Sequence, residues 1–170
     1  MKKRARFAVS AWCLFAALHA AVKAPLVINL SASVPRGIYL KQHEGKIKRG
    51  SLVLVCPSEK AIWRLVAQSR SVVRGSGCGG TLAPLIKEIA AVEGDTVEVT
   101  TGGVVLNGTL RTGTALRSFS SRGEPLPKAS SGKIVPGELF LLGASPESLD
   151  SRYFGTIPIQ DVKGVLTRIL

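Results

Sequence analysis

Histidine is nearly absent from this chain, with His19 and His43 the only two among 170 residues. A Ser-His-Asp triad therefore lacks a suitable base, since His19 falls in an apolar run and His43 in a charged turn. Of the three cysteines, Cys13 falls in that apolar run, and neither Cys56 nor Cys78 has a histidine nearby. No metal site or cofactor is expected from that inventory. Aromatic residues make up only 5% of the chain, and no block of Lys and Arg is interleaved with them. Nucleic-acid binding is accordingly not expected, despite a formal net charge of +12. A positive field of that kind equally suits anionic lipid or an acidic partner. Internal repeats and coiled-coil heptads are also missing. What remains is rich in Val, Ile and Thr, with 18 glycines and 9 prolines, and points to strands and turns rather than a helical bundle. The length accommodates a membrane anchor and one compact domain, without room for a second large one.

The chain opens with Lys2, Lys3, Arg4 and Arg6 and then runs apolar from Phe7 to Val22. This is the order of a secretion signal or signal anchor, with the basic end held in the cytoplasm. As a helix that run is about 24 Å long, short of a hydrocarbon core of roughly 30 Å. Continuing through Ala24 to Ile28, with Lys23 reaching for the interface, makes up the difference. Val22-Lys23-Ala24 has the small residues of a cleavage site, but Pro25 follows at once and disfavours cutting. The expectation is a retained anchor over residues 1–28 and an exported domain over 29–170, on the periplasmic side of a bacterial inner membrane. A buried core helix is the competing reading of the apolar run. Cys56 and Cys78 would lie in an oxidising compartment, where they can pair; two small buried thiols remain the alternative.

Within the exported part, strands are expected at Ile38 to Leu40, Ser51 to Val55, Leu85 to Val92, Thr96 to Thr101, Val104 to Leu106, Thr109 to Arg111, Leu139 to Leu142 and Val162 to Ile169. Helical spacing of Ile62, Leu65, Val66 and Ser69 predicts a helix from about Glu59 to Ser71, bracketed by the two cysteines. Asn107-Gly108 predicts a tight hairpin, and Ser118 to Gly132 reads as a loop.

With histidine excluded, a Ser-Lys pair is the natural serine mechanism. Strand alternation puts Lys87 on one face with Leu85, Ile89 and Ala91, where loss of hydration disfavours its charged form and allows it to act as a base. A lysine snorkelling from an edge strand has the same pattern. Ser33 lies in Asn29-Leu30-Ser31-Ala32-Ser33-Val34-Pro35-Arg36-Gly37-Ile38-Tyr39, where Pro35 restricts Val34 to extended geometry and so helps fix the serine. A polar linker between anchor and domain is the bland reading of that segment.

Three segments resemble the boxes of signal peptidase I. Ser33 followed by an apolar residue and Pro35 resembles its serine box, and the continuation Pro-x-Gly-Ile-Tyr resembles the TraF-type, pilin-processing conjugal-transfer branch. Lys87-x-x-x-Ala91-x-x-Gly94-Asp95 resembles its lysine box, and Arg49 to Val55 the strand that enters it. Gly143 to Gly155, with Asp150-Ser151-Arg152-Tyr153-Phe154-Gly155, resembles its third box, although Ala144 and Ser145 depart from the Gly-Asp-Asn opening.

The resemblance implies a mainly antiparallel β catalytic domain with a short helical insertion, preceded by a transmembrane helix. It implies Ser33 as nucleophile, Lys87 as general base, and Ser31, Ser33 and Arg152 as oxyanion or binding residues. Asp150 either supports the lysine region or pairs with Arg152 in a surface turn. The implied substrate is a propilin or another exported precursor bound in extended form, and the implied surroundings are inner-membrane lipid and other conjugation proteins. An acyl-enzyme could then be resolved by water or by the pilin's own amino terminus. Two other readings stay open: a general signal peptidase, and a non-catalytic periplasmic component of a conjugation or secretion channel. The related self-cleaving repressor fold would require a helix-turn-helix region that is not evident here.

Overall fold

The computed structural model describes residues 25–58, 62, 77–78 and 83–170. Residues 1–24 of the anchor expected over 1–28 and, apart from Ile62, the expected helix from Glu59 to Ser71 lie outside the described residues. The rest is mainly antiparallel β. Its strands are β1 (Leu26–Asn29), β2 (Gly37–Gln42), β3 (Leu52–Val55), β4 (Leu85–Ala91), β5 (Thr96–Thr100), β6 (Gly103–Leu106), β7 (Thr109–Arg111), β8 (Gly132–Lys133), β9 (Glu138–Leu142), β10 (Ile157–Pro158) and β11 (Val162–Arg168). A single-turn helix α1 (Ser151–Phe154) and a 3-10 turn (Ile159–Asp161) precede β10 and β11 respectively. Seven strands form one sheet in the order β1-β2-β11-β3-β4-β9-β10, and four form a second in the order β7-β6-β5-β8.

The apolar run does not continue as a helix to Ile28. Leu26–Asn29 is a strand that pairs antiparallel with β2, with Leu26 opposite Leu40 and Asn29 opposite Gly37. Pro25 carries no N–H and so suits a strand start, and its carbonyl accepts the Lys41 amide at 2.7 Å. Val27 and Ile28 are β-branched and favour extended backbone. The folded domain thus begins a few residues earlier than the expected boundary at residue 29.

β4 lies between β3 and β9, so it is an interior strand and not the edge from which a lysine could snorkel. A β-bulge interrupts its pairing with β9 between Ile89 and Ala91. Simple alternation therefore holds from Lys87 to Ile89 and fails at Ala91, which the bulge's extra residue turns to a different neighbourhood. Ile89 packs with Val53, Val55, Leu139 and Leu141, whereas Ala90 and Ala91 join Val97, Val99, Val104 and Phe140 under the second sheet. Leu116 touches both clusters and links the two sheets.

The Asn107-Gly108 hairpin has the geometry its residues favour. Both have positive φ, 49° and 80°, as a type I′ turn requires. Asn107 also accepts the Thr96 amide through Oδ1 and donates through Nδ2 to Asp95, whose other oxygen accepts the Val92 amide. The Gly94-Asp95 turn after β4 is thereby tied to the hairpin.

Cys56 and Cys78 form a disulfide with Cα atoms 5.3 Å apart, closing a loop of sequence separation 22. Alkylation without reduction should leave both cysteines unmodified in the intact mass. A Cys56→Ala/Cys78→Ala variant should lose about 2–4 kcal/mol of unfolding free energy in urea titrations, the usual worth of closing such a loop.

Candidate active site

The loop between β1 and β2 carries Ser33, and a buried asparagine shapes it. Asn29 donates through Nδ2 to the carbonyls of Ser31, Val34 and Pro35 at 3.0–3.1 Å and accepts the Ser31 amide and hydroxyl through Oδ1. One side chain thus replaces the ladder hydrogen bonds that the turning backbone gives up. The Tyr39 hydroxyl donates to the Pro35 carbonyl, and the Ala144 amide donates to the Ser33 carbonyl at 2.6 Å. Ser33 is pinned from both sides with its hydroxyl turned into a cleft of about 280 Å³.

Lys87 enters the same cleft from the middle of β4, opposite Val53. Its side chain is buried, with 2% of the residue exposed, yet Nζ has two partners: it lies 3.0 Å from Ser33 Oγ and 2.6 Å from Ser148 Oγ. Burial lowers the Lys87 pKa from 10.5 to about 8, because the charged amine loses its hydration. The Asp150 carboxylate opposes that shift and the Arg152 guanidinium assists it. Because these two ions are paired with each other, their opposed fields leave desolvation dominant.

Ser148 was not singled out in the sequence, although it lies in the segment that carries Asp150 and Arg152. Its signal was position: a hydroxyl two residues before Asp150 is held over β4 by the same turn. Glycine at 143 makes room for it. A Cβ there would stand 2.0 Å from Ser148 Oγ and 3.2 Å from the Ser33 carbonyl oxygen, so a larger residue must displace the serine.

Asp150 and Arg152 are both fully buried, so their pair is not the surface turn contact considered from sequence. Arg152 Nε donates to Asp150 Oδ1 at 2.8 Å and Nη2 to Asp150 Oδ2 at 2.9 Å, a two-pronged contact. The remaining guanidinium donors go to the carbonyls of Ala115, Ser145, Pro146 and Ser148. Asp150 also accepts the Gly143 amide at 2.9 Å and caps α1 through the Arg152 amide. Asp150 therefore pairs with Arg152, and the pair holds the segment that carries Ser148, Asp150 through the Gly143 amide and Arg152 through the Ser148 carbonyl.

The same geometry corrects the expectation that Arg152 binds substrate or an oxyanion. Its donors are spent inside the protein and it does not line the cleft. Ser31 is likewise not brought to the dyad, since it is exposed and its hydroxyl donates to Asn29 at 2.8 Å. Ser33, Lys87 and Ser148 are the three polar groups that do converge.

A family model for signal peptidase, peptidase S26, matches residues 1–170. A plasmid transfer protein TraF of Escherichia coli is 30% identical over 154 residues, 89% of this chain and 86% of the relative. A conjugal transfer protein TraF of Agrobacterium tumefaciens (strain 15955) is 34% identical over 140 residues, 82% and 78% of the two chains. A probable conjugal transfer protein TraF of Sinorhizobium fredii (strain NBRC 101917 / NGR234) is 37% identical over 147 residues, 84% and 76% of the two chains. Among solved structures, a signal peptidase I from Enterococcus faecalis V583 superposes with a TM-score of 0.44 at 22% identity, covering 72% of this chain and 98% of that one.

Breaking the buried ion pair should unfold this corner. Asp150→Ala leaves the Arg152 charge buried without its partner and should cost about 3–5 kcal/mol, measured by chemical denaturation. A loss below about 1 kcal/mol would mean that the pair is not holding the Gly143–Ser148 segment.

Proposed function

Because this chain belongs to the signal peptidase family, peptidase S26, we propose that it is a membrane-anchored serine endopeptidase that matures an exported precursor, a conjugal propilin. The observation that carries the reading is the buried Lys87 amine 3.0 Å from the Ser33 hydroxyl, in a cleft open to solvent. A neutral amine there accepts the hydroxyl proton as Ser33 Oγ attacks the peptide carbonyl. The resulting ammonium then returns the proton to the departing amine, leaving an ester on Ser33. Ser148 takes a second Lys87 hydrogen bond and so keeps the nitrogen lone pair aimed at Ser33. The backbone amide of Ser33 is the donor the developing oxyanion meets first.

The family supports peptidase chemistry, and the names of the conjugal transfer relatives support a role in conjugation. Propilin as substrate, and release of the ester either by water or by the pilin's own amino terminus, extend that reading. Placement on the periplasmic side of the inner membrane rests on the basic-then-apolar order of the first 22 residues and on one end of the large sheet. There Leu26, Ile28, Leu30, Ile169 and Leu170 are exposed. Ile38 pairs with Ile28 on one side and bonds the backbone of Ile169 and Leu170 on the other, so these side chains share a region. An apolar surface of this kind, on the edge strand that leads into the Ser33 loop, suits a lipid interface.

Three results test the dyad. Cleavage of precursor should rise with pH through about 8, since the base form of Lys87 is populated only above its lowered pKa. Ser33→Ala and Lys87→Ala should each lose about 10⁴-fold or more in kcat, as removing one member of a cooperative site does. Precursor processing that survives both substitutions would sink the peptidase reading. Gly143→Ala should retain the fold and lose about 10²-fold, the usual cost of misplacing a catalytic group by an ångström.

A further inference from the structure

The cleft that holds the dyad is apolar at its floor, through Leu85, Leu126, Leu149 and Tyr153, and charged at its mouth. Arg117, Arg122 and Glu147 are its charged lining besides Lys87, with Glu147 beside Arg117. Arg117 is fixed by its backbone: its amide donates to the Tyr153 hydroxyl at 3.2 Å, and the preceding Leu116 amide donates to the Thr101 carbonyl. Leu116 itself is packed against both cores. Arg122 sits on a closed loop, in which the Ser120 amide bonds the Glu124 carbonyl, the Leu126 amide bonds the Ser118 carbonyl, and Phe119 bridges Pro125. This loop is a built wall with a set position, although it reads from sequence as irregular.

Against that wall Glu147, the one carboxylate that lines the cleft among the described residues, is loosely held. Glu147 Oε1 lies 3.8 Å from Arg117 Nη1, beyond hydrogen-bond reach, and its side chain is 75% exposed. Glu147 is the residue before Ser148, so the ion pair is adjacent to the group that holds Lys87. An exposed protein carboxylate 3.8 Å from a guanidinium whose backbone is held in place is an arrangement that a ligand carboxylate can take over, with better geometry and less solvent.

We propose that Arg117 makes this cleft selective for a peptide that carries a carboxylate within a few residues of the scissile bond, and that Glu147 occupies the carboxylate position until substrate displaces it. The inference rests on the peptidase reading and adds the substrate class: an extended segment with an apolar side chain on the Leu85–Leu149 floor and an acid at Arg117. The acid is either an Asp or Glu side chain or the carboxyl terminus of the substrate. A cation near the scissile bond is disfavoured, because Arg117 already brings a guanidinium to the cleft.

The test uses the full chain in detergent micelles with a randomised decapeptide library, one half with free and the other with amidated carboxyl termini, and cleavage sites read by mass spectrometry. Ser33→Ala is the blank. Wild type should enrich Asp and Glu over Asn and Gln at one fixed position by about tenfold, the worth of one charge-assisted hydrogen bond. If the acid is the carboxyl terminus, enrichment appears instead as cutting of the free half at a fixed distance from its end. Arg117→Gln should bring the ratio towards one, Arg117→Lys should keep part of it, and Glu147→Gln should raise it by removing the internal competitor. Cleavage by wild type with no acidic or carboxyl-terminal preference, or a preference that survives Arg117→Gln, would overturn the selectivity and leave the dyad standing. No cleavage above the blank would overturn the peptidase reading and the selectivity together.

Discussion

Desolvation of one amine organises the chemistry of this molecule. Lys87 stands in the middle of an interior strand, almost wholly buried, and its two partners are both neutral hydroxyls. A carboxylate in direct contact would have held the amine charged. The acid whose field acts on it, Asp150, is instead committed to Arg152, so the pair contributes position while most of its charge cancels. The fold thus places an ion pair behind Ser33 and Lys87 and leaves burial as the main influence on the pKa of the amine.

That arrangement explains why so much of the surrounding architecture is polar and buried. Asn29 holds the turn that carries Ser33, and Asp150 with Arg152 holds the turn that carries Ser148. Gly143 lets the second turn approach the first, with the Ala144 amide on the Ser33 carbonyl closing the contact. Each buried polar group here has partners, and among the described residues no buried side-chain nitrogen or oxygen is left without one. The geometry of the Ser33, Lys87 and Ser148 cluster depends on two loops whose backbone groups are satisfied by side chains.

Much of the sheet was legible because its strands alternate and are bounded by turn residues. The Asn107-Gly108 hairpin was legible because its positive φ values leave little choice of residue. Pairing of Cys56 with Cys78 followed from the compartment implied by the basic-then-apolar opening. β1 was missed because an apolar stretch beside an apolar run reads as more of the same, and only Pro25 marked the change. The bulge at Ile89–Ala91 was not legible, since an extra residue in one strand leaves no mark on alternation until its partner is known. Ser33 and Lys87 were picked out by their neighbours in sequence, and the fold brings their side chains to 3.0 Å. Ser148 was not, because a serine two residues from a conspicuous acid looks like any turn serine until β4 is placed beneath it. Arg152 was misassigned for the same reason: sequence shows that a guanidinium is present, while only packing shows that its five donors are already taken.

The account stands or falls on whether the Lys87 amine is neutral in the folded protein near pH 8. Carbon NMR of lysine labelled at Cε, titrated in the intact wild-type protein and assigned with a Lys87→Met variant, measures this without reference to any substrate. One lysine should titrate near 8, well below the 10.5 of an ordinary side chain. A Lys87 signal that titrates with the exposed lysines near 10.5 would contradict the account, because an amine charged throughout the working range cannot take the proton of Ser33.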